Sequence, residues 1–258
     1  MAKLSIEVML DAGVHFGHLT RKWHPAMAPY ILMKRNGIHI IDLNKTAAKL
    51  EEAAEAIKRI AASGKSILFV GTKKQAKDVI ESRVKKIKMP YVTERWPGGM
   101  LTNFTTIRRS IKKISQIDEL LNDETAVLNK KERLQLMRKK QKLEKDFGSI
   151  ADMTTTPGAI FIVDIKKEHI AVDEARNLGI PTFAIVDTNS DPRLVNYPIP
   201  ANDDASRSVA LILDVICQAV VDGLKERQSK KEVEPVAETT NSAPEHAVSE
   251  NPSEQASE

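Results

Sequence analysis

A basic segment near the N-terminus holds the side chains of this chain that are best suited to binding chemistry. Residues 12–41 contain no Asp or Glu, and four of the six histidines lie among them. Ammonium and guanidinium groups neutralise phosphates, while aromatic rings and imidazoles stack on bases or bond to riboses. The segment predicts contact with RNA, although a loop with core-packed rings and solvated cations would share this composition. The residues assigned to this contact are His15, His18, Arg21, Lys22, Trp23, Lys34, Arg35 and Asn36.

The same histidines raise the question of a metal site. His15 and His18 are three residues apart, and His24 follows them. Zinc needs three or four donors, and no cysteine or carboxylate lies close to these histidines in the sequence. The sequence therefore predicts no metal ion, and it favours a structural or RNA-facing pair.

A short turn between an apolar run and a helical pattern is a candidate anion site. It reads Gly71-Thr72-Lys73-Lys74, and the N–H groups and dipole at a helix start attract anions. The turn lacks both the three-glycine dinucleotide fingerprint and the GxxxxGK[ST] phosphate loop, so we expect no nucleotide cofactor. Lys73 and Lys74 are predicted to meet an RNA phosphate, with ordinary turn chemistry as the alternative.

A glycine-bearing loop, RWPGGMLTN at residues 95–103, supplies a further set. Glycines allow another backbone to approach closely, while an indole and an amide offer stacking and hydrogen bonds. A structural hinge is an equally good interpretation, and the two are compatible. The predicted RNA contacts here are Trp96, Gly98, Gly99 and Asn103.

Catalytic constellations are not evident. Cys217 falls in an apolar helical pattern without a neighbouring base, so we expect no nucleophile. Residues 187–192, DTNSDP, follow an apolar run, and their two acids suit either a metal site or an ordinary turn. We therefore predict no enzyme activity and no small-molecule substrate.

The charge distribution favours nucleic acid as the partner. The 258 residues carry a net +4, while residues 232–258 hold seven acids and no Lys or Arg, so residues 1–231 carry +11. A single cysteine suggests a reducing compartment, and no apolar stretch reaches the roughly 18–20 residues that span a bilayer. We expect a cytoplasmic protein with no membrane contact.

Short apolar runs alternate with helical patterns between residues 38 and 204. Predicted strands at 38–43, 66–70, 90–93, 159–163 and 182–186 favour a parallel sheet covered by helices on both faces. A final helix is expected at about 206–222, with Gly223 after it. Residues 226–258 are rich in Pro, Ser, Ala and acids, which predicts an acidic disordered tail beyond a domain of residues 1–225.

One segment interrupts this alternation. Residues 104–147 contain no proline or glycine, and two apolar seams predict an antiparallel helical hairpin inserted at about 104–148. The hairpin has twelve basic and seven acidic residues. A cationic strip on its first helix is predicted to face RNA or a neighbouring protein. The strip consists of Arg108, Arg109, Lys112 and Lys113.

Several segments together resemble a known family. HFGH, NGIHIIDLNKT, FVGTKKQA, RWPGGMLTN, VDTNSDP and YPIPANDDA occur in an order and spacing that closely resemble ribosomal protein two of the bacterial small subunit, over about residues 4–225. The resemblance implies a flavodoxin-like sheet of about five strands with the inserted hairpin. It also implies binding to ribosomal RNA at the head–body junction, late assembly, neighbouring ribosomal proteins as partners, and docking of ribosomal protein one.

Two other classes of function remain as alternatives. An enzyme on the same type of sheet would need a phosphate loop or an acid–base pair in a cleft. A soluble adaptor acting through the acidic tail would need a stable pool away from ribosomes. Micromolar binding of NAD or ATP would favour the enzyme.

Overall fold

The computed structural model describes residues 4–123 and 129–233. The helices are α1 (Ile6–Asp11), α2 (Leu43–Ala62), α3 (Lys74–Val84), α4 (Phe104–Asn122), α5 (Lys130–Phe147), α6 (His169–Asn177) and α7 (Ser206–Val233). The strands are β1 (Phe16–Leu19), β2 (Ile31–Arg35), β3 (Ile38–Ile41), β4 (Ile67–Val70), β5 (Tyr91–Val92), β6 (Ala159–Val163), β7 (Thr182–Val186) and β8 (Tyr197–Pro200).

Five strands form a parallel sheet in the spatial order β5-β4-β6-β7-β8. Numbered from its first strand, this is the 2-1-3-4-5 order of flavodoxin-like folds. The register places Phe69, Phe161 and Phe183 side by side on one face. The predicted fold class is confirmed. Its ligand-binding edge is the one at which the carboxyl ends of the strands meet.

Both faces of this sheet are covered, as near-continuous apolar strands require. Every residue of β4, β6 and β7 is buried. Ile67 and Phe69 pack against α2, α3 and α7, while Leu68 and Val70 face α6 and the base of the hairpin formed by α4 and α5. The two hydrophobic layers hold the loops at the carboxyl edge in place.

The first predicted strand, residues 38–43, was assigned to the wrong sheet. Ile38–Ile41 is the middle strand of a separate antiparallel sheet in the order β1-β3-β2, and Asp42 caps α2. The fifth parallel strand is instead β8, whose sequence is YPIP. Pro198 and Pro200 hide its strand character, but prolines are tolerated on an edge strand.

The predicted end of the last helix at Asp222 is also wrong. α7 continues through Gly223 to Val233. A Cβ on Gly223 would lie 2.4 Å from the carbonyl oxygen of Lys58 and 2.8 Å from the Cβ of Ala61. The glycine therefore allows α7 to pack closely on α2 instead of ending the helix. The predicted acidic tail, apart from this helical extension, lies outside the described residues.

The predicted helical hairpin is present. α4 ends at Asn122, and Asn129 and Glu132 form a capping box at the start of α5. Ile107 and Phe147, at the base of the hairpin, are buried in the core layer beneath α6. Among the described residues, no helix is both long and apolar enough to cross a membrane.

Candidate nucleic-acid interface

The antiparallel sheet presents a basic tip. β2 and β3 are joined by Asn36 and Gly37, both with positive φ (49° and 74°), which is the conformation of a two-residue type I′ hairpin turn. Lys34, Arg35 and Asn36 are exposed at this turn. The sequence therefore places two cations and an amide on a rigid hairpin rather than on a loose loop.

A half-buried ring supports these cations. Trp23 lies against the buried His39, with ring centroids 5.2 Å apart, and Lys34 Nζ is 5.8 Å from the centroid of the Trp23 ring. Burial and the neighbouring Lys34 lower the pKa of His39, so this imidazole is neutral. Arg21 and Lys22 are exposed in the turn between β1 and Trp23. These two, with the β2–β3 turn, form the hairpin-tip patch: Arg21, Lys22, Lys34, Arg35 and Asn36.

The two sheets meet through the loop after β7. Thr188 Oγ1 accepts a hydrogen bond from the N–H of His18 at 2.8 Å, and its carbonyl accepts one from His24 at 2.8 Å. Gly17 lies against this threonine, and a Cβ there would be 2.6 Å from Thr188 Cγ2 and 3.0 Å from the carbonyl oxygen of His39. The glycine of HFGH is needed for this close approach.

We expect Gly17→Ala to lower the free energy of unfolding by about 1–3 kcal/mol, because the methyl group overlaps Thr188 and a backbone carbonyl. Denaturant unfolding of the full chain measures this. Gly98→Ala is the matched control, since a Cβ on Gly98 meets no atom of the described chain within 4 Å. Equal stabilities for the two variants would contradict the packing assigned to Gly17.

The two histidines of HFGH are half-buried. His15 packs on Phe16 with ring centroids 4.0 Å apart, and burial lowers the pKa of His15. His18 reaches the parallel sheet, where its Nδ1 lies 3.0 Å from Asp187 Oδ2 and its Nε2 lies 3.3 Å from Asp204 Oδ2. The contact with Asp187 raises the pKa of His18. These contacts favour a structural role for both rings.

A charged cluster occupies the carboxyl edge of the parallel sheet, and we call it the carboxyl-edge cluster. Five of its side chains lie in the loops that follow β4, β6, β7 and β8, and the sixth lies on β1. Its members are His18, Lys73, Asp164, Asp187, Asp203 and Asp204.

Lys73 is held by three carboxylates of this cluster. Its Nζ lies 2.7 Å from Asp203 Oδ1, 2.6 Å from Asp204 Oδ1 and 3.4 Å from Asp164 Oδ2. Burial alone would lower the pKa of Lys73, but the bond to Asp203 and the other acids hold it above its ordinary value. Lys73 thus has carboxylates where the sequence predicted a phosphate, and it is left out of the interface proposed below.

Asp203 is the most constrained carboxylate of the cluster. Burial, with the nearby charges of Asp187 and Asp164, raises the pKa of Asp203 to about 7 in spite of Lys73. Asn202 shapes the loop that presents it, since the Asn202 side chain accepts from the N–H of Asp204 at 2.9 Å and donates to the Gly13 carbonyl at 3.0 Å. The sequence reasoning missed this cluster because its members are distant along the chain.

The start of α3 is also occupied by the chain itself. Glu168 Oε1 accepts from the N–H of Thr72 at 3.0 Å and from its hydroxyl at 2.5 Å. The anion that this turn attracts is therefore a buried carboxylate. Lys74, two residues after Thr72, is exposed and is the cation of this turn that faces solvent.

The glycine-bearing loop is organised by one buried carboxylate, Glu174 of α6. Its Oε1 accepts from Trp96 Nε1 at 3.1 Å and from the N–H of Gly99 at 2.7 Å, and its Oε2 accepts from the N–H of Leu101 at 2.8 Å. Trp96 is buried and cannot stack on a base, which favours the structural interpretation of its ring. Gly98 and Asn103 remain exposed, and Gly99 has a positive φ of 83°.

Three of the four cations predicted to form a strip on α4 are exposed. Arg109, Lys112 and Lys113 are exposed on the side of α4 opposite the seam of Ile107 and Ile111. The fourth member, Arg108, is half-buried, and its Nη1 donates to the Met153 carbonyl at 2.9 Å. We call the three exposed cations, Arg109, Lys112 and Lys113, the α4 strip.

Cys217 is a buried thiol of α7. Burial raises the pKa of Cys217 to about 12, so the thiol stays protonated at neutral pH. A protonated, buried thiol is a poor nucleophile.

Comparison with known proteins shows the family to which the chain belongs. The sequence profile of the family described as ribosomal protein S2 matches residues 9–223. A protein of Flavobacterium johnsoniae named small ribosomal subunit protein uS2 is 62% identical over 237 residues, which cover 92% of this chain and 93% of that protein. Proteins of the same name from Bacteroides thetaiotaomicron and Cytophaga hutchinsonii are 60% and 59% identical, over 90% and 89% of this chain and 84% and 91% of theirs. The chain therefore belongs to the ribosomal protein S2 family, a family of structural ribosomal proteins and not of enzymes.

Proposed function

We propose that this chain is a structural component of the small ribosomal subunit that binds ribosomal RNA through two exposed basic surfaces. The observation that supports this most directly is the hairpin-tip patch, where four exposed cations surround a rigid type I′ turn. A backbone that is already ordered loses little conformational entropy on binding. More of the attraction between the cations and the phosphate backbone therefore contributes to affinity. The α4 strip is the second surface.

The proposed contacts are those predicted residues that the fold leaves accessible. They are Arg21, Lys22, Lys34, Arg35, Asn36, Lys74, Gly98, Gly99, Asn103, Arg109, Lys112 and Lys113. Lys34 Nζ lies over the ring of Trp23, so the role of Trp23 in this proposal is to position that cation. His15, His18, Lys73, Trp96 and Arg108 act within the protein, since each is engaged by its own neighbours.

The finer parts of the proposal rest on membership of the family. They are a position at the head–body junction of the small subunit in the cytoplasm, entry late in assembly, contact with neighbouring ribosomal proteins, and docking of ribosomal protein one. Depletion of the protein tests them together. Small subunits made without it should lack ribosomal protein one and retain the earlier-joining proteins.

Neutralising the hairpin-tip patch tests the RNA contact itself. We expect the combined substitution of Arg21, Lys22, Lys34 and Arg35 by Gln to leave thermal stability almost unchanged, because all four side chains are exposed. The slope of log affinity for ribosomal RNA against log salt should shrink by up to about three to four, less for any residue that meets no phosphate. Filter binding at several salt concentrations measures it.

A control with the same change in charge uses the opposite edge of the sheet. Four exposed lysines lie there, just after α3 and on α7: Lys85, Lys86, Lys88 and Lys225. Their substitution by Gln should change the slope far less. Equal slopes for the two quadruple variants would show that only the overall charge matters, and would contradict a contact at the hairpin tip.

A further inference from the structure

Four side chains of the carboxyl-edge cluster converge on one point. One potential ligand atom from each of His18, Asp187, Asp203 and Asp204 lies within 4.8 Å of the others. These side chains come from β1 and from the loops after β7 and β8. An imidazole and three carboxylates from three separate segments are thus brought together by the fold.

The oxygens of these carboxylates are divided between two sides. Lys73 takes Oδ1 of Asp203 and Oδ1 of Asp204, while Asp187 Oδ1 accepts from the N–H of Thr188. The second oxygens of Asp187 and Asp204 face the two nitrogens of His18, at 3.0 and 3.3 Å. The Lys73 ammonium group is therefore bonded to different oxygens of the cluster from those that face His18.

One carboxylate oxygen of the cluster has no hydrogen-bond partner among the described residues. Asp203 is fully buried, and its Oδ2 makes no hydrogen bond to any residue in the part of the chain that the structure describes. Buried polar atoms are almost always satisfied, and a carboxylate oxygen that is not satisfied calls for a cation or a donor.

The charge of the cluster points to a cation. Asp164, Asp187, Asp203 and Asp204 face a single permanent cation, Lys73. With His18 neutral, as a metal ligand must be, and all four carboxylates ionised, three negative charges would remain at a largely buried site. A divalent ion would offset two of them and would bond to the free oxygens at the same time.

We propose that His18, Asp187, Asp203 and Asp204 bind one divalent transition-metal ion, and that Zn²⁺ is the best match. Imidazole together with carboxylates suits Zn²⁺, whereas Mg²⁺ and Ca²⁺ prefer oxygen ligands alone. With metal–ligand bonds of about 2.1 Å, two donors lie at most about 4.2 Å apart. The four ligand atoms lie within 4.8 Å of one another, so any pair farther apart than about 4.2 Å would have to close when the ion binds. Asp204, which is 52% exposed, is the ligand with the most room for such a movement.

The ion would fasten the antiparallel sheet to the parallel sheet. His18 lies on β1, and the carboxylates follow β7 and β8, so a metal bond joins the element that presents the hairpin-tip patch to the body of the protein. The hydrogen bond from His18 N–H to Thr188 Oγ1 already marks this junction. Metal binding would hold the two sheets in one relative position.

Titration of the untagged, full-length, EDTA-treated protein with Zn²⁺ tests the proposal without RNA. We expect one equivalent bound by calorimetry and by elemental analysis after gel filtration, and a higher Tm with zinc than without it. His18→Gln and Asp203→Asn should weaken binding at least 30-fold. Asp204→Asn, at a half-exposed position, should fold normally and weaken binding at least tenfold.

Matched controls are the exposed His169→Gln and Asp78→Asn, which should bind zinc as the parent does. Co²⁺ should give visible d–d bands in the parent protein that Asp204→Asn weakens, which supports the site even where a buried variant misfolds. Less than 0.2 equivalents of zinc in the parent, or unchanged binding in both His18→Gln and Asp204→Asn, would overturn the proposal. Displacement of zinc by 5 mM Mg²⁺ would overturn the choice of a transition metal.

Discussion

Replacing Glu174 with alanine is expected to lower the free energy of unfolding by about 3 kcal/mol. The buried carboxylate accepts from Trp96 Nε1 and from the N–H groups of Gly99 and Leu101, and its loss leaves these donors without an acceptor. For a chain of this size the Tm should fall by roughly 6–12 °C. Thermal and denaturant unfolding measure the effect.

The neighbouring Asp173→Ala is the matched control, since Asp173 is exposed on the same helix. It should change the free energy of unfolding by less than about 0.5 kcal/mol. A loss as large as that of Glu174→Ala would mean that α6 as a whole, and not the loop contacts, is being destabilised.

The charge of Glu174 also predicts a dependence on pH. Burial raises its pKa, but the hydrogen bonds from Leu101, Gly99 and Trp96 outweigh this and hold the pKa of Glu174 below its ordinary value. Since the folded-state pKa is depressed, the stabilisation is fully present above the unfolded value of about 4.3 and is lost as the pH falls through the folded value. The stability difference between the parent and Glu174→Gln should therefore shrink below about pH 4 and stay constant above pH 5.

Charge reversal of the α4 strip is expected to have the largest effect on binding. Arg109, Lys112 and Lys113 replaced by Glu should reduce affinity for ribosomal RNA about 10- to 100-fold at moderate salt, because three attractions become repulsions. The fold should persist, since all three side chains are exposed and the apolar seam of α4 is untouched. Competition filter binding measures the affinity, and circular dichroism monitors the fold.

The same reversal at Lys85, Lys86 and Lys225 provides the comparison. These exposed lysines lie on α7 and at the end of α3, outside the proposed surfaces. We expect less than a threefold change there. If both reversals weaken binding equally, the α4 strip is not a specific contact.

Much of the fold could be predicted from the sequence because its strongest patterns are local. Runs such as Ile67–Val70 and Ala159–Val163 are apolar throughout, as buried parallel strands are, and the segments Phe104–Asn122 and Lys130–Phe147 each keep a helical period. The errors arose where tertiary contacts override a local signal. Pro198 and Pro200 sit on an edge strand, and Gly223 serves helix packing rather than helix ending.

The candidate site was predictable only in part, because residue type does not determine exposure. Lys34 and Arg35 are found at an exposed turn, as the Asn-Gly pair suggests, whereas Trp96 and Lys73 are engaged by Glu174 and by aspartates from distant loops. The expectation of no metal rested on the sequence neighbours of the histidines, whereas the carboxylates that lie near His18 in the fold are 169 to 186 residues away from it. Two signals were available: an Asp directly after a predicted strand at 187, and the paired acids 203 and 204.

Sedimentation of cell extract decides whether the chain is a ribosomal RNA-binding part of the small subunit. On a sucrose gradient at moderate salt, the chain should migrate with small subunits, and it should move to the top when they are stripped at about 1 M salt. The variant with the α4 strip reversed should be depleted from the small-subunit peak, while the Lys85, Lys86 and Lys225 variant should remain there. A parent chain that stays at the top of the gradient at moderate salt would contradict the proposed function.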